Sequence, residues 1–136
     1  LSFNENNGTL VVESGVLLND IIKKFLPKGW FPFVTPGSKF VTVGGMIAAD
    51  VHGKNHHKDG SFGSFIEWID LIDNQGEIKR CSKEKNSELF EWTIGGMGLT
   101  GIIIKASIKL RTVETCWIKQ KIITASNIDQ TLNICV

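Results

Sequence analysis

Apolar residues recur along this chain with two different spacings, which predict helices and strands. A helical spacing predicts an amphipathic helix over residues 18–26, closed by Pro27 and Gly29. The residues that carry it are Leu18, Ile21, Ile22 and Phe25. Alternating or β-branched runs predict strands at 9–13, 65–73, 77–81, 102–111 and 117–123. Because turn residues join neighbouring runs into antiparallel hairpins, the pattern predicts the α+β class.

Four segments give more specific expectations. Residues 102–111 alternate as one half-buried strand, with Ile102, Ile104, Ala106, Ile108 and Leu110 on one face. Residues 87–92 predict a short helix anchored by Leu89, Phe90 and Trp92, and the aromatic run 30–34 is expected under the loop 35–37. Ser126 and Asn127 resemble an N-cap, followed at helical spacing by Ile128, Leu132 and Val136. The chain is therefore expected to end within a helix.

The segment from Val41 to Gly63 holds the candidate chemistry. It contains glycines 44, 45, 53, 60 and 63 and all three histidines. Glycines allow backbone to approach a ligand without an intervening Cβ. Residues 46–49 predict one or two helical turns, whose free N–H groups would point at an anion such as a diphosphate.

Composition narrows the class of protein. The chain has 136 residues, 42% of them hydrophobic and 21% charged, as in an ordinary globular domain. The net charge of +1 provides no field that would attract nucleic acid. No run reaches the roughly 20 apolar residues of a membrane-spanning helix, and we expect a cytoplasmic protein with no nucleic-acid partner.

The histidines leave two interpretations open. His52 and His56 have the spacing of a metal pair, but Gly53 weakens a helix there and no Glu lies between them, so we expect no metal site. His56 and His57 are interpreted as surface residues. His52 is the candidate for contact with a cofactor or for proton relay, with a structural role as the alternative. The glycine cluster at 95–101 fits no phosphate-binding motif and alone predicts only a tight turn.

Two stretches together resemble a known family. VTPGSKFVTVGGMIAADVHGKNHHKDGSFG (34–63) and LFEWTIGGMGLTGIIIKASIKL (89–110) are similar to the FAD-binding domain of FAD-linked oxidases of the vanillyl-alcohol-oxidase superfamily. The flavoprotein subunits of decaprenylphosphoryl-ribose 2′-epimerases are the most similar branch, and sugar-lactone oxidases are relatives. The similarity extends from about Gly8 to Leu110.

The resemblance implies a PCMH-type FAD-binding domain, of which this chain is the second subdomain, a mixed or antiparallel sheet with flanking helices. It implies that hydride passes from the carbinol carbon of a sugar-type substrate to the flavin. In the epimerase branch a separate short-chain reductase returns the hydride. The positions that match FAD contacts are Gly37, Thr42, Val43, Gly44, Gly45, His52, Gly53, Lys54, Asn55 and Ile103. Only His52 is a candidate catalytic residue.

The resemblance also implies missing parts. A glycine-rich pyrophosphate loop is expected before Leu1, and a cap domain with the substrate site is expected after Val136. We therefore expect 1–112 to be part of the FAD-binding domain, incomplete at both ends, and 113–136 to lead toward the cap. The alternatives are a sugar-lactone or 2-hydroxyacid oxidase, and an inactive remnant that binds no cofactor. If the chain is part of an FAD-dependent enzyme, we expect it to be inactive alone and to bind FAD weakly.

Overall fold

Residues 1–135, which the computed structural model describes, form six strands and five helices. The strands are β1 (Ser2–Asn4), β2 (Thr9–Glu13), β3 (Trp30–Pro32), β4 (Ile66–Ile72), β5 (Ile78–Ser82) and β6 (Ile102–Thr112). The helices are α1 (Leu18–Phe25), α2 (Val43–Ala48), α3 (His56–Asp59), α4 (Ser87–Thr93) and α5 (Ile128–Cys135). Two 3₁₀ turns occupy Leu26–Lys28 and Phe62–Phe65. Val136, the last residue of the predicted helical pattern, lies outside the described residues.

Strand β6 is the centre of the sheet. The strand order is β1-β2-β6-β4-β5, and β3 pairs with the end of β6 through Phe31 and Arg111. Every pairing is antiparallel. The eleven residues of β6 are therefore the shared partner of three strands, and the α+β expectation is confirmed.

The core lies between one face of this sheet and helices α1 and α2. Its fully buried side chains come from β2, α1, α2, β4 and β6, and include Leu10, Ile21, Phe25, Met46, Ile47, Ile69, Leu71 and Ile108. Each large apolar side chain that is fully buried stabilises the fold by about 1.5–3 kcal/mol. This burial fixes α2 against β2 and β6, and α2 carries the candidate site.

The opposite face of the sheet carries a polar network around Glu67. The carboxylate accepts hydrogen bonds from Ser107 Oγ at 2.7 Å and Thr9 Oγ1 at 3.4 Å, and lies 2.8 Å from Lys109 Nζ. Burial raises the pKa of Glu67, but the hydrogen bonds from Lys109 and Ser107 together outweigh it and lower the pKa below 4.5. Glu67 therefore links β2, β4 and β6 in its ionised form.

The predicted alternation of buried and exposed residues in β6 is wrong at the start of the strand. Asp70 pairs with Lys105, and the next residue Leu71 pairs with Ile103, so Ile104 has no opposite partner. This β-bulge reverses the alternation. Ile103 is consequently 8% exposed and Ile102 is 68% exposed, the opposite of the predicted faces.

Two further expectations are wrong. Trp92 does not anchor α4, because it is 62% exposed while Phe90 is buried. The predicted strand 117–123 is not formed within the described residues, and Trp117 is 88% exposed there. A β-prone run stays unpaired when no neighbouring strand edge supplies its backbone hydrogen bonds.

The remaining elements agree with the sequence, apart from three that it did not predict. Helix α1, strands β2, β4 and β5, and helix α4 lie within a residue or two of the predicted ranges. The side chain of Asn127 accepts the N–H of Gln130 at 2.9 Å, which confirms the N-cap of α5. In the run 30–34, Pro32 and Val34 are buried and the aromatic rings are half-buried. Strands β1 and β3 and the single turn of α3 were missed.

Candidate cofactor-binding site

Helix α2 begins at Val43 and includes the glycine pair, whereas the sequence predicted helical turns only after it. Thr42 is its N-cap, and Thr42 Oγ1 accepts the N–H of Gly45 at 3.1 Å. An isolated β-bridge between Leu17 and Thr42 fixes this residue beside the start of α1. The Thr42 hydroxyl hydrogen remains free to donate to a ligand.

The first N–H groups of α2 are not available to an anion. Val43 donates to the carbonyl oxygen of Val16 at 2.9 Å, and Gly44 donates to that of Ser14 at 2.8 Å. The N–H of Gly45 is bound to Thr42. Within the predicted stretch 46–49, Met46 donates to the carbonyl oxygen of Thr42 and Ala49 to that of Gly45, so the expectation of free N–H groups that contact a diphosphate is wrong. A ligand here meets the glycine Cα atoms and the Thr42 hydroxyl instead.

The end of α2 is closed by a Schellman motif. Val51 donates to the carbonyl oxygen of Met46 and Asp50 to that of Ile47, with Asp50 in the left-handed region at φ 41°. The Asp50 carboxylate then accepts the N–H of Gly63 at 2.8 Å. This turn directs the chain out of the core toward His52.

The second glycine cluster packs on the same end of α2. Gly95 donates to the carbonyl oxygen of Ile47 at 3.0 Å, and Met97 donates to that of Ala48 at 2.8 Å. The loop thus pairs the carbonyl oxygen of Ala48 and adds a second donor to that of Ile47, which already accepts the N–H of Asp50. As a result, the loop 95–101 lies beside α2 and forms a wall of the site, which is more than the tight turn predicted for it.

A groove of about 270 Å³ runs between α2 and this loop. Its lining residues are Ser14, Gly15, Thr42, Gly44, Gly45, Ala48, Gly98, Gly101 and Ile103. Four residues predicted to contact the cofactor therefore meet in one place, namely Thr42, Gly44, Gly45 and Ile103. The β6 bulge places Ile103 there by turning it inward.

The glycines of the groove differ in what a side chain would contact. A Cβ at Gly44 would lie 2.9 Å from Ser14 Cβ, so packing requires this glycine. A Cβ at Gly45 would approach only Thr42 Oγ1, at 3.1 Å, and at Gly15 or Gly98 it would meet nothing within 4 Å. The folded chain thus leaves open the space over Gly15 and Gly98, and over Gly45 only the Thr42 hydroxyl oxygen is close to a Cβ position. Such a cradle, which a Cβ would fill, fits the close approach of a cofactor.

Val43 is the exception in this segment. Its side chain is fully buried in the core, and its N–H is bound to Val16. A contact between Val43 and a cofactor would therefore have to involve the rest of its backbone.

The other predicted residues line a second cavity of about 530 Å³. It is formed by Phe31, Phe33, Thr35, Pro36, Gly37, His52, Gly53, Lys54, Asn55 and Arg111. The two cavities share no lining residue. The groove runs along α2 from Thr42 to Ala48, a length of about 9 Å, and the second cavity contains His52, which follows the turn that ends the helix. A ligand that contacts both must be elongated.

His52 is exposed at the edge of this second cavity. Its backbone forms a β-bridge with Ser61, and its ring centroid lies 5.2 Å from that of His56. No cluster of three or more metal-ligating side chains occurs among the described residues. The ring nitrogens of His52 can therefore face a bound molecule.

Gly53 and Asn55 are held by contacts within the protein. Asn55 Nδ2 donates to the carbonyl oxygen of Phe33 at 2.9 Å and to Asp59 Oδ2 at 2.6 Å. A Cβ at Gly53 would lie 2.7 Å from both Asn55 Oδ1 and the carbonyl oxygen of Thr35. Close packing with Thr35 is therefore a sufficient reason for glycine at position 53, and the room inferred there for a cofactor stays a prediction.

Sequence reasoning missed several lining residues. Gly15 and Ser14 follow β2, and Gly98 and Gly101 precede β6, so only the tertiary fold brings them to α2. Arg111 was assigned to the polar face of a strand, and its position beside His52 depends on the pairing of β3 with β6. No local motif marks these residues, although the second glycine cluster was a signal for Gly98 and Gly101.

The fold and the glycine cradle define a flavin-nucleotide-binding module, and comparison with known proteins gives the family. Residues 1–82 match the family described as "FAD binding domain". The chain belongs to this family of FAD-linked oxidases, and FAD is its cofactor. Its fold is that of a PCMH-type FAD-binding domain.

Several curated proteins are similar to this chain. A decaprenylphosphoryl-β-D-ribose oxidase from Mycolicibacterium smegmatis is 42% identical over 123 residues, which cover 89% of this chain and 26% of that protein. Cytokinin dehydrogenase 5 from Arabidopsis thaliana is 36% identical, with coverage of 73% and 18%. D-lactate dehydrogenase from Anaerostipes hadrus is 30% identical, with coverage of 81% and 24%. The chain spans about a quarter or less of the length of these relatives. In its described part, every helix is too short or too polar to cross a membrane.

Proposed function

We propose that this chain is the FAD-binding part of an oxidoreductase that takes hydride from a carbon bearing a hydroxyl group. The observation that carries the proposal is the space in the groove beside α2, where no atom lies within 4 Å of a Cβ position at Gly15 or Gly98 and only the Thr42 hydroxyl oxygen is near that of Gly45. Membership of the FAD binding domain family gives the ligand for that space. When bound, FAD supplies the acceptor for the hydride.

The residues of the chain have separate roles in this proposal. Gly45 and Gly98 allow close approach, the Thr42 hydroxyl donates a hydrogen bond, and Ile103 supplies an apolar contact. In this proposal His52, which follows the turn that ends α2 and lines the second cavity, donates a hydrogen bond to the cofactor or moves a proton near the reacting carbon. Because α2 is packed against the core, Thr42 and Gly45 are held in fixed geometry.

The substrate class is the finer part of the proposal. Two of the similar proteins are named for substrates with hydroxyl-bearing carbons, decaprenylphosphoryl-ribose and D-lactate. We therefore propose a sugar-type substrate first and a 2-hydroxyacid or sugar lactone second. A short-chain reductase partner and a cytoplasmic location complete the proposal for the sugar-type reaction.

Anaerobic bleaching of the visible flavin absorbance tests the reaction class. The complete oxidoreductase that contains this chain is loaded with FAD and mixed with D-lactate, L-gulonolactone or a ribose phosphate, and with benzylamine as a matched CH–N probe. We expect bleaching by at least one hydroxyl compound and none by the amine. Bleaching by benzylamine alone would contradict the hydroxyl assignment while leaving the FAD site in place.

A further inference from the structure

We propose that the cavity around Arg111 binds an anionic oxygen group, a phosphate or a carboxylate, carried by the substrate. This inference rests on the proposed function, because a substrate must lie beside His52 to meet the cofactor. It adds a specificity residue, Arg111, that the resemblance did not supply. The evidence comes from the charge, the hydrogen bonding and the packing of this cavity.

The charge of the cavity wall has one sign. Three side chains that can carry positive charge line it, namely His52, Lys54 and Arg111, and no Asp or Glu side chain does. Within residues 1–135, Lys54 makes no ion pair. Cationic groups that converge in a cavity with low-dielectric walls concentrate anions there.

The nearest carboxylate neutralises Arg111 only in part. Asp59 Oδ2 is 3.6 Å from Arg111 Nη1, which is too long for a hydrogen bond. The same oxygen accepts a hydrogen bond from Asn55 Nδ2 at 2.6 Å. Asp59 is therefore engaged mainly with Asn55, and the guanidinium keeps donor capacity for another acceptor.

Arg111 also carries an unused donor. Its Nε is buried without a hydrogen-bond partner, which is rare in folded proteins and calls for an explanation such as an absent ligand. The guanidinium carbon lies 5.9 Å from the centre of the Phe33 ring, and that ring stacks on Phe65 at 4.2 Å. Aromatic packing thus positions a planar fork of donors suited to the two oxygens of a phosphate or carboxylate.

The FAD diphosphate is the competing source of the same chemistry. It would bring phosphate oxygens to Arg111 if the cofactor lay with its diphosphate in this cavity. We favour the substrate because the glycine cradle that suits close approach of the cofactor is a separate groove, which shares no lining residue with this cavity. The two sources predict opposite results when FAD and a simple anion are added together.

Titration with inorganic phosphate, followed by the NMR signals of the Arg111 side chain and the Lys54 amide, tests the site. We expect saturable shifts at both residues, and at least about tenfold weaker binding in Arg111→Gln. Arg111→Lys should weaken binding less, because it keeps the charge and loses the fork. Lys83→Gln, which removes a positive charge from a different cavity, should bind phosphate as the wild type does. If Arg111→Gln fails to fold, Lys54→Gln at an exposed position serves the same comparison.

Repeating the titration with saturating FAD separates the two sources. Retention of phosphate binding supports the proposal, and the same titration with acetate reports whether carboxylates share the site. Displacement of phosphate by FAD would overturn the proposal, as would non-saturable shifts or an unchanged phosphate affinity in Arg111→Gln. If FAD does not bind while phosphate still binds at Arg111, the proposed function fails and the anion site stands.

Discussion

The backbone N–H of Met97 donates a hydrogen bond to the carbonyl oxygen of Ala48 over 2.8 Å, and this bond joins the two glycine-rich segments of the chain. Met97 adopts the left-handed region at φ 54° to make it. Because of this contact, Gly98 and Gly101 face Gly44 and Gly45 across one groove. The candidate site is therefore a property of the folded chain and not of either segment alone.

Neighbouring glycines of α2 should respond differently to alanine. In Gly44→Ala the new Cβ would lie 2.9 Å from Ser14 Cβ, and such overpacking costs about 1–3 kcal/mol. In Gly45→Ala only Thr42 Oγ1 is near, and alanine gains about 0.5–1 kcal/mol in a helix. Urea denaturation should thus show a less stable Gly44→Ala and an unchanged or more stable Gly45→Ala. Equal losses in both variants would contradict this description of the groove.

Two glycines of the second cavity provide a similar comparison. Gly53→Ala should lower the free energy of unfolding by about 1–3 kcal/mol, because its Cβ would approach the Thr35 carbonyl oxygen at 2.7 Å. Gly37→Ala should be tolerated, since nothing lies within 4 Å of its Cβ position, with a gain of up to about 1 kcal/mol. Thermal denaturation monitored by circular dichroism measures both. A stable Gly53→Ala would favour the interpretation that this glycine leaves room for the cofactor.

Replacement of His52 should affect FAD binding, whereas replacement of its neighbour His57 should not. Replacing His52 by alanine removes a donor at the cavity edge, which should weaken FAD binding about 2- to 10-fold or shift the flavin absorbance spectrum. His57→Ala, an exposed residue outside both cavities, serves as the control and should change neither. If His52→Ala lowers stability and leaves flavin affinity and spectrum unchanged, the residue is structural.

The Glu67 network predicts a pH dependence of stability. Because the pKa of Glu67 is lower in the folded chain than its ordinary value of 4.5, its contribution is complete above that value. The contribution is lost as the pH falls through the folded pKa. Urea denaturation of the wild type and Glu67→Gln should give a stability difference that is largest near neutral pH and shrinks below about pH 4.5. A difference that stays constant from neutral to acidic pH would show that the ionised carboxylate is not what stabilises the network.

Much of the fold could be predicted because it depends on local pattern. The spacing of Leu18, Ile21 and Phe25 determines α1, and Asn74-Gln75-Gly76 places the turn between β4 and β5. The errors occur where pairing partners decide the outcome. The bulge opposite Asp70 and Leu71 exchanges the faces of Ile102 and Ile103, and no periodicity within β6 could indicate it. The run 117–123 has strand-like composition without a paired neighbour.

The candidate site shows the same division. Its residues from 37 to 55 could be located by glycine spacing and by resemblance, because they are contiguous in sequence. The contributions of Gly15, Gly98 and Arg111 depend on contacts between distant segments. The reasons for individual glycines were also inaccessible, since Gly44 and Gly53 are required by Ser14 and Thr35 in three dimensions. The domain limits at residues 112 and 113, and the FAD contacts themselves, stay predictions.

The central claim is that FAD lies in the groove over Gly45, and titration of FAD into the Gly45→Val variant tests it most directly. Quenching of flavin fluorescence gives the affinity, and urea denaturation confirms that the variant is folded. Ala49→Val, an exposed substitution just beyond α2 and outside the groove, is the matched control. Added methyl groups in a close contact cost about 1–3 kcal/mol, so we predict that Gly45→Val binds FAD at least about tenfold more weakly while Ala49→Val binds normally. Wild-type FAD affinity in a folded Gly45→Val variant would contradict the claim.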